Sequence, residues 1–170
     1  MTPEVMELFR KQRWKLTGQV IEIGSLDVNG SVRSVIDVTV GTDIRPGKGV
    51  DLVCPVQELL EHFEPESFDA CVSSETLEHV EDWKGFITTT WSLVKSSGYL
   101  VMTMASKYKK RHAYPDDYWR FEIEDIRRIY PMAEWIGEIV TGKNKVVSIG
   151  WIVQKSGELG SLDFEPMRVT

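Results

Sequence analysis

Short apolar runs alternate along the chain with segments whose apolar residues recur at helical spacing. Val56, Leu59, Leu60 and Phe63 fall on one face of a helix, and residues 82–95 form a second amphipathic segment. Such alternation is typical of βαβ units, in which helices cover a parallel sheet. The apolar runs between these segments predict strands at 19–23, 38–44, 51–54, 68–74 and 99–105.

The two ends of the chain depart from this alternation. Residues 3–15 have roughly helical spacing and predict an N-terminal helix, whereas 133–140 and 145–155 are strand-like runs joined by the hairpin-type turn TGKN. The predicted fold class is α/β: a Rossmann-like, mostly parallel seven-stranded sheet with helices on both faces and an antiparallel C-terminal hairpin. The polar tail, residues 156–170, is expected to pack loosely.

Length and composition narrow the class of protein. The 170 residues suit one domain, 1–170, in which residues 1–18 carry the N-terminal helix, and the net charge of −6 argues against general nucleic-acid binding. No run predicts a membrane span or a signal peptide. Cys54 and Cys71 lie in or beside apolar runs, as small buried side chains do in a reducing compartment, although a disulfide also fits the sequence. We therefore expect a cytoplasmic protein.

Ligands of open α/β sheets bind beyond the carboxyl ends of the strands, near the point where the strand order reverses. The first strand ends in Glu22-Ile23-Gly24, where glycine allows close backbone approach and Glu22 offers a carboxylate. A plain turn explains this glycine equally well. Asp43 ends the second strand, 19 residues after Gly24, close to the separation of about 20 at which an acid binds ribose hydroxyls.

The segment after the fifth strand, SKYKKRHAYPDDYWRF, is the candidate substrate loop. His112 is the first candidate for a general base because its intrinsic pKa lies near neutrality, and Asp117 is the second. Tyr114, Tyr118 and Trp119 are expected to wall a substrate pocket, together with Arg120. The alternative is that YWRF anchors the loop in the core, with Arg120 paired to an acid.

Two further polar positions follow the fourth strand. Ser74 and Glu75 leave the strand at the expected ligand edge, close to Glu78 and His79. A metal site built from Glu78, His79 and His112 is a weaker alternative, because an adjacent Glu-His pair does not have the spacing of helical metal ligands. We expect no metal.

Four segments in order resemble the class I S-adenosylmethionine (SAM)-dependent methyltransferases: VIEIGS, VGTDI, FDACVSSETLEHVEDW and LVKSSGYLVMTM. The chain is most similar to the small-molecule branch, whose fourth-strand segment reads FD-x-apolar-S-x-x-x-L-E-H. This resemblance covers roughly residues 19–104 and implies SAM as cofactor and methyl transfer as the reaction. The cofactor-binding positions that it implies are Glu22, Gly24, Ser25, Asp43, Ile44, Val56, Ser74 and Glu75.

The chain departs from the family in its first loop, where Ser25, Leu26 and Asp27 replace the glycines of E-x-G-x-G-x-G. Glycine-rich turns of the G-x-G-x-x-G type cradle a pyrophosphate, which SAM lacks. The missing glycines therefore count against a nicotinamide-dependent oxidoreductase, the first alternative function, more than against a methyltransferase. The second alternative is a non-catalytic SAM-binding or partner-supporting domain.

The resemblance leaves the methyl acceptor open among a small molecule, a sugar and a protein side chain. A small domain with few additions suggests that the acceptor is carried on a larger molecule, or that a homo-oligomer or protein partner completes the pocket.

Overall fold

A seven-stranded sheet runs through the centre of the computed structural model, which describes residues 1–111 and 116–169. The strand order is β3-β2-β1-β4-β5-β8-β7, and β8 alone runs antiparallel to its neighbours in this sheet. The strands are β1 (Val20–Ile23), β2 (Val40–Asp43), β3 (Leu52–Val53), β4 (Phe68–Ser74), β5 (Val94–Ala105), β7 (Trp135–Val140) and β8 (Val146–Gln154), with β6 (Trp119–Arg120) and β9 (Met167–Arg168) in a separate pair.

This architecture confirms the predicted mostly parallel sheet and its antiparallel hairpin. The hairpin β7–β8 closes one side of the sheet because β8 pairs with β5 from Tyr99↔Gln154 to Ala105↔Ser148. Several boundaries differ from the prediction; the N-terminal helix, for example, ends at Gln12 and not at residue 15, and β5 begins at Val94 and not at residue 99. The helix expected over 82–95 ends at Leu93, because Val94 is fully buried and already pairs with Phe68 of β4.

Helical segments cover both faces of the sheet. On one face, α1 buries Val5 and Phe9 against Val20 and Val72 of the sheet. The opposite face carries the larger core. The helices are α1 (Pro3–Gln12), α2 (Trp83–Leu93) and α3 (Ile123–Ile129), and short 3-10 turns cover Val32–Ser34, Val56–Glu61 and Leu77–His79.

The position of the candidate site follows from the strand order. From β1 the chain builds outward to β2 and β3 on one side, and then returns to place β4 and β5 on the other. Because β1 and β4 are parallel neighbours, with Ile23 opposite Ser73, their carboxyl ends meet at this reversal. An open α/β sheet forms its ligand crevice at such a point.

The C-terminal tail is anchored, in contrast to the loose packing that its polar composition predicts. Phe164 lies 5.1 Å from Trp83 and 6.4 Å from Phe121, measured between ring centroids. Met167–Arg168 then pairs with Trp119–Arg120 to form the second sheet. The few apolar side chains of the tail therefore decide its packing, although most of its residues are polar.

Both cysteines are buried and free. Cys71 is fully buried in β4, where the loss of solvation raises the pKa of its thiol far above the usual range. None of the helices within the described residues has the length and apolar character needed to cross a bilayer.

Candidate active site

A cavity of about 670 Å³ opens at the carboxyl ends of β1, β2 and β4. Its size falls in the range that is typical of small-molecule and cofactor sites. All the cofactor-binding positions implied by the sequence lie on its wall, although they come from four separate segments of the chain. They are Glu22, Gly24, Ser25, Asp43, Ile44, Val56, Ser74 and Glu75.

Only glycine fits at position 24, because of the backbone conformation there and the proximity of Thr76. Its φ of +76° lies in the left-handed region, and a Cβ atom there would lie 2.1 Å from Oγ1 of Thr76. Its N–H and that of Ser25 both donate to the carbonyl oxygen of Thr42, at 2.8 and 2.9 Å. Thr76, which also lines the cavity, thus lies directly against this glycine, and the predicted close approach of a ligand stays a prediction.

Glu22 lies at the floor of the cavity and is almost fully buried. Its Oε2 has no hydrogen-bond partner among the described residues and lies 3.9 Å from Nε of Arg33. Burial is the largest influence on this carboxyl and raises its pKa to about 7, although the Arg33 guanidinium acts in the opposite direction. Arg33 also binds Asp51, which accepts a hydrogen bond from the N–H of Gly41 at 2.7 Å.

The raised pKa of Glu22 predicts a pH-dependent stability. Between the ordinary value of 4.5 and about 7, the folded protein keeps a proton that the unfolded chain releases. This stabilising contribution is complete below pH 4.5 and is lost as the pH rises through 7. We expect Glu22→Gln, which cannot ionise, to raise the free energy of unfolding at pH 8 by up to about 3 kcal/mol and to change it little at pH 5.

Denaturant unfolding of both proteins at pH 5 and pH 8 measures this difference. Glu158→Gln, at an exposed position in the tail, is the control and should leave the difference between the two pH values unchanged. An equal effect of Glu22→Gln at both pH values would contradict the assignment.

Asp43 is held at the end of β2 by backbone donors. Its Oδ1 accepts from the N–H of Arg45 at 3.0 Å, and its Oδ2 accepts weakly from the N–H of Leu26 at 3.4 Å. The next residue, Ile44, is 67% exposed although it is a large apolar side chain, and it lines the cavity together with Val56. This corner thus offers an oriented carboxylate and two apolar side chains.

The exit of β4 carries several polar atoms that lack partners within the described residues: Ser74 Oγ, Glu75 Oε1 and Glu78 Oε2. Glu75 has a φ of +53°, which is unusual for a residue with a side chain and is the kind of strain found at functional sites. Its N–H donates to the carbonyl oxygen of Thr103 at 2.9 Å, and its Oε2 lies 3.2 Å from Nζ of Lys109.

Glu78 is fully buried beside this strand exit and also lines the cavity. Its Oε1 accepts from the N–H of Ala105 at 3.0 Å. Burial, and then the negative charge of Glu75, raise the pKa of this carboxyl well above the ordinary value for glutamate. The carboxyl is therefore poised to hold or release a proton near neutral pH.

His79, the next residue, has one ring nitrogen fixed by the loop that follows β5. Its Nδ1 lies 2.7 Å from the carbonyl oxygen of Asp116. Because a carbonyl oxygen only accepts, Nδ1 carries the proton, and in the neutral ring Nε2 is then the basic nitrogen. His79 lines the cavity.

Among the described loop residues that were predicted for catalysis or substrate binding, none lies on the cavity wall; these residues are Asp117, Tyr118, Trp119 and Arg120. Asp117 and Arg120 form an ion pair with each side chain about 1% exposed, and the second oxygen of Asp117 accepts from Nη2 of Arg120 at 2.6 Å. Trp119 is buried and donates from Nε1 to the carbonyl oxygens of Val80 and Glu81. Tyr118 packs partly buried against the core.

The anchoring alternative therefore describes this segment, because paired charges and apolar rings are buried there in place of a pocket. Backbone bonds add to the anchoring, since the N–H of Tyr118 donates to the carbonyl oxygen of Glu78 at 2.8 Å. The segment thus supports the wall of the cavity from behind. Two further predicted residues, His112 and Tyr114, lie outside the described residues.

Sequence reasoning missed Thr76, Arg33 and Arg45. Thr76 is an ordinary residue between two motif positions, and only its packing on Gly24 reveals its importance. Arg33 lies in a short turn with no motif, although an arginine in such a position beside a buried acid is a usable signal. Arg45 directly follows the predicted Asp43-Ile44 pair and lines the cavity. As for metals, no three His, Cys, Asp or Glu side chains in residues 1–111 and 116–169 are grouped to hold an ion.

The comparison with protein families agrees with this geometry. Residues 29–102, somewhat less than half of the chain, match the model of a family described as a methyltransferase domain. The matched range includes Asp43, Val56, Ser74, Glu75 and Glu78. No curated protein sequence matches the chain significantly.

Solved structures show the same fold at low sequence identity. The Burkholderia thailandensis 1,6-didemethyltoxoflavin-N1-methyltransferase, with bound 1,6-didemethyltoxoflavin and S-adenosylhomocysteine, is 11% identical, with a TM-score of 0.68 over 90% of this chain and 79% of that one. A SAM-dependent methyltransferase from Archaeoglobus fulgidus is 14% identical, with a TM-score of 0.63 over 89% and 93%. One from Mesorhizobium loti is 14% identical, with a TM-score of 0.60 over 88% and 96%.

At these identities the structural likeness establishes the fold, which is the one seen in these SAM-dependent methyltransferases. The match of residues 29–102 to a methyltransferase domain supports methyl transfer to an acceptor as the activity.

Proposed function

We propose that the cavity at the β1–β4 reversal is the SAM site and that the acceptor enters beside Glu78, His79 and Lys109. The observation that carries this proposal is the convergence of Glu22 and Asp43, from two different strands, with the unpartnered polar atoms at the end of a third. Buried polar groups without partners are costly, so a polar ligand that satisfies them is expected to bind there.

The adenosine half of SAM lies on the side of β2. The Asp43 carboxylate accepts hydrogen bonds from the two ribose hydroxyls, and the backbone donors from Arg45 and Leu26 hold it in place for this contact. Ile44 and Val56 contact the faces of the adenine ring. An exposed isoleucine at the cavity mouth is explained by this role, since a bound adenine covers it.

The methionine half lies between the two central strands. The Gly24–Ser25 loop follows its chain on one side, and Ser74 and Glu75 flank it on the other. Glu22 contributes negative charge beneath the cationic donor. The Ser25 hydroxyl, buried and without a partner among the described residues, supplies a further polar contact to this half of the donor.

Methyl transfer from a sulfonium is an in-line displacement, so alignment of donor and acceptor and exclusion of water supply most of the catalysis. The pinned segment 116–120 keeps the Leu77–His79 turn in place for this alignment. If the acceptor must lose a proton, Glu78 is a described group on the cavity wall that can take it.

We expect Asp43→Ala to weaken SAM binding at least tenfold, about 1.4 kcal/mol, because the ribose hydroxyls lose a charged acceptor. Isothermal titration calorimetry with SAM measures this change. Asp37→Ala, which removes an exposed aspartate outside the cavity, is the matched control and should leave the affinity unchanged.

NAD titrated into the wild-type protein completes the test. Tight NAD binding without SAM binding would overturn the proposed cofactor, and unchanged SAM affinity in Asp43→Ala would overturn the ribose contact alone.

We also propose a cytoplasmic location and a single catalytic unit. The buried free thiols of Cys54 and Cys71 suit a reducing compartment. The acceptor is a small molecule or a group carried on a macromolecule, and a second copy or a protein partner is expected to take part in binding it.

A further inference from the structure

We propose that the acceptor is an amine, whose ammonium form binds the carboxyl group of Glu78 at the end of the cavity shared with Glu75. This inference rests on the proposed function for the position of SAM and deepens it by naming the acceptor class. Glu78 is the central residue because it is fully buried, lines the cavity and has an oxygen, Oε2, with no partner among the described residues.

The polar atoms that lack a partner at this end of the cavity are oxygens that can accept, so they suit a ligand that donates hydrogen bonds. In their ionised forms the carboxyl groups of Glu75 and Glu78 only accept, so Glu75 Oε1 and Glu78 Oε2 then take a donor from a ligand. A cation beside Glu78 favours its ionised form, against the burial that raises its pKa. The hydroxyl oxygen of Ser74, which also lines the cavity, likewise lacks a partner in the described part of the chain. A primary ammonium group brings three donors and no acceptor, which matches this set.

The carboxyl groups at this end of the cavity also favour a cationic ligand. Two carboxyl groups, those of Glu75 and Glu78, line the wall beside the ammonium of Lys109, whereas the N-terminal ammonium of Met1, which also lines the cavity, donates to the carbonyl oxygen of Asn29. The Lys109 ammonium already lies 3.2 Å from Glu75 Oε2, so the structure contains an intramolecular example of the contact that we propose for the acceptor. Glu78 Oε1 is occupied by the N–H of Ala105, which orients the carboxyl and leaves Oε2 for the ligand.

A divalent metal is the other class of cation that two carboxylates bind. The described residues do not favour it, because no three metal-ligating side chains are grouped there and Lys109 occupies one oxygen of Glu75. An alcohol acceptor also fits less well, since its hydroxyl brings one donor and no charge to a site with two carboxyl groups.

The carboxyl group of Glu78 also provides for the chemistry. An ammonium has no lone pair, so the ionised Glu78 first takes one proton and leaves the neutral amine. The nitrogen lone pair then forms the bond to the SAM methyl carbon as the bond from carbon to sulfur breaks. The electron pair of that bond stays on sulfur, giving S-adenosylhomocysteine and a methylated ammonium product.

A matched pair of probes, benzylamine and benzyl alcohol, tests the proposal. Each is titrated into the protein saturated with S-adenosylhomocysteine, and binding is followed by ligand-observed NMR. We expect benzylamine to bind at least tenfold more tightly than benzyl alcohol. Glu78→Gln should weaken benzylamine binding at least tenfold and leave SAM affinity within twofold. Glu75→Gln is a second variant in case Glu78→Gln fails to fold, and because Glu75 also flanks SAM, it should weaken benzylamine binding more than it weakens SAM binding.

Glu61→Gln, an exposed position outside the cavity, is the control and should bind benzylamine as the wild type does. Four results would each overturn the proposal: equal affinity for the two probes, no benzylamine binding, benzylamine binding that needs added Mg²⁺, or an equal loss of SAM and benzylamine affinity in Glu78→Gln. The last result would assign the acid to the cofactor. Failure of the proposed function is distinguished from all four, because the protein would then not bind S-adenosylhomocysteine.

Discussion

Asp117→Asn is expected to lower the free energy of unfolding by about 3 to 5 kcal/mol, because it leaves the charge of Arg120 buried without its counter-ion. Both side chains are about 1% exposed, and the pair is bidentate, with 2.6 Å between Asp117 Oδ2 and Arg120 Nη2. A surface pair would lose far less, since solvent screens exposed charges. Urea unfolding followed by circular dichroism measures the change.

The double variant Asp117→Leu/Arg120→Met separates the cost of the uncompensated charge from the loss of packing. Because both charges are removed together, we expect it to regain most of the stability that Asp117→Asn loses. The competing hypothesis, drawn from the sequence, makes Asp117 a catalytic group. It predicts the opposite pattern for Asp117→Asn: wild-type stability with loss of methyl transfer. That result would contradict the anchoring role.

Gly24→Ala is the second substitution with a large expected effect. An alanine there must adopt a φ of +76° and place its Cβ 2.1 Å from Oγ1 of Thr76. The left-handed conformation costs about 1 to 2 kcal/mol and overpacking typically adds about 1 to 3 kcal/mol, so we expect a loss of about 3 kcal/mol in the free energy of unfolding. Because the loop also borders the cavity, SAM affinity should fall at least tenfold.

Gly157→Ala is a closely matched control for the backbone term. Gly157 has a φ of +71°, and a Cβ atom there would meet nothing within 4 Å. Gly157→Ala should therefore lower the free energy of unfolding only by the cost of the left-handed backbone conformation, and its SAM affinity should equal that of the wild type. A second variant, Gly24→Ala/Thr76→Gly, relieves the clash and should recover part of the stability. If Gly24→Ala and Gly157→Ala lose the same stability and bind SAM equally, the contact with Thr76 has no role.

The fold was predictable because its signals are local and periodic. The alternation of strand-like runs with helical spacing defines a parallel sheet, and the TGKN turn defines the hairpin that closes it. The packing of the tail was not predictable from composition, because it depends on a few rings. Phe164 stacks near Trp83 and Phe121, which lie more than 40 positions earlier in the chain.

The residues of the proposed cofactor side could be named from the sequence, through the spacing of Gly24 and Asp43, and the structure brings them to one cavity. Both residues end parallel neighbouring strands, and the topology then brings them to one edge. The acceptor side was less visible, because the same residue types serve both anchoring and recognition. In the segment YWRF, aromatic rings and an arginine suggested a pocket, whereas the buried Asp117–Arg120 pair and the Trp119 bonds to Val80 and Glu81 hold the loop in place.

A crystal structure of the protein with S-adenosylhomocysteine tests the central claim most directly. We predict that the ligand occupies the cavity at the β1–β4 reversal, with both ribose hydroxyls within hydrogen-bond distance of the Asp43 carboxylate and the sulfur atom on the side of Glu75 and Glu78. A ligand bound outside this cavity, or bound within it with its ribose away from Asp43, would contradict the account.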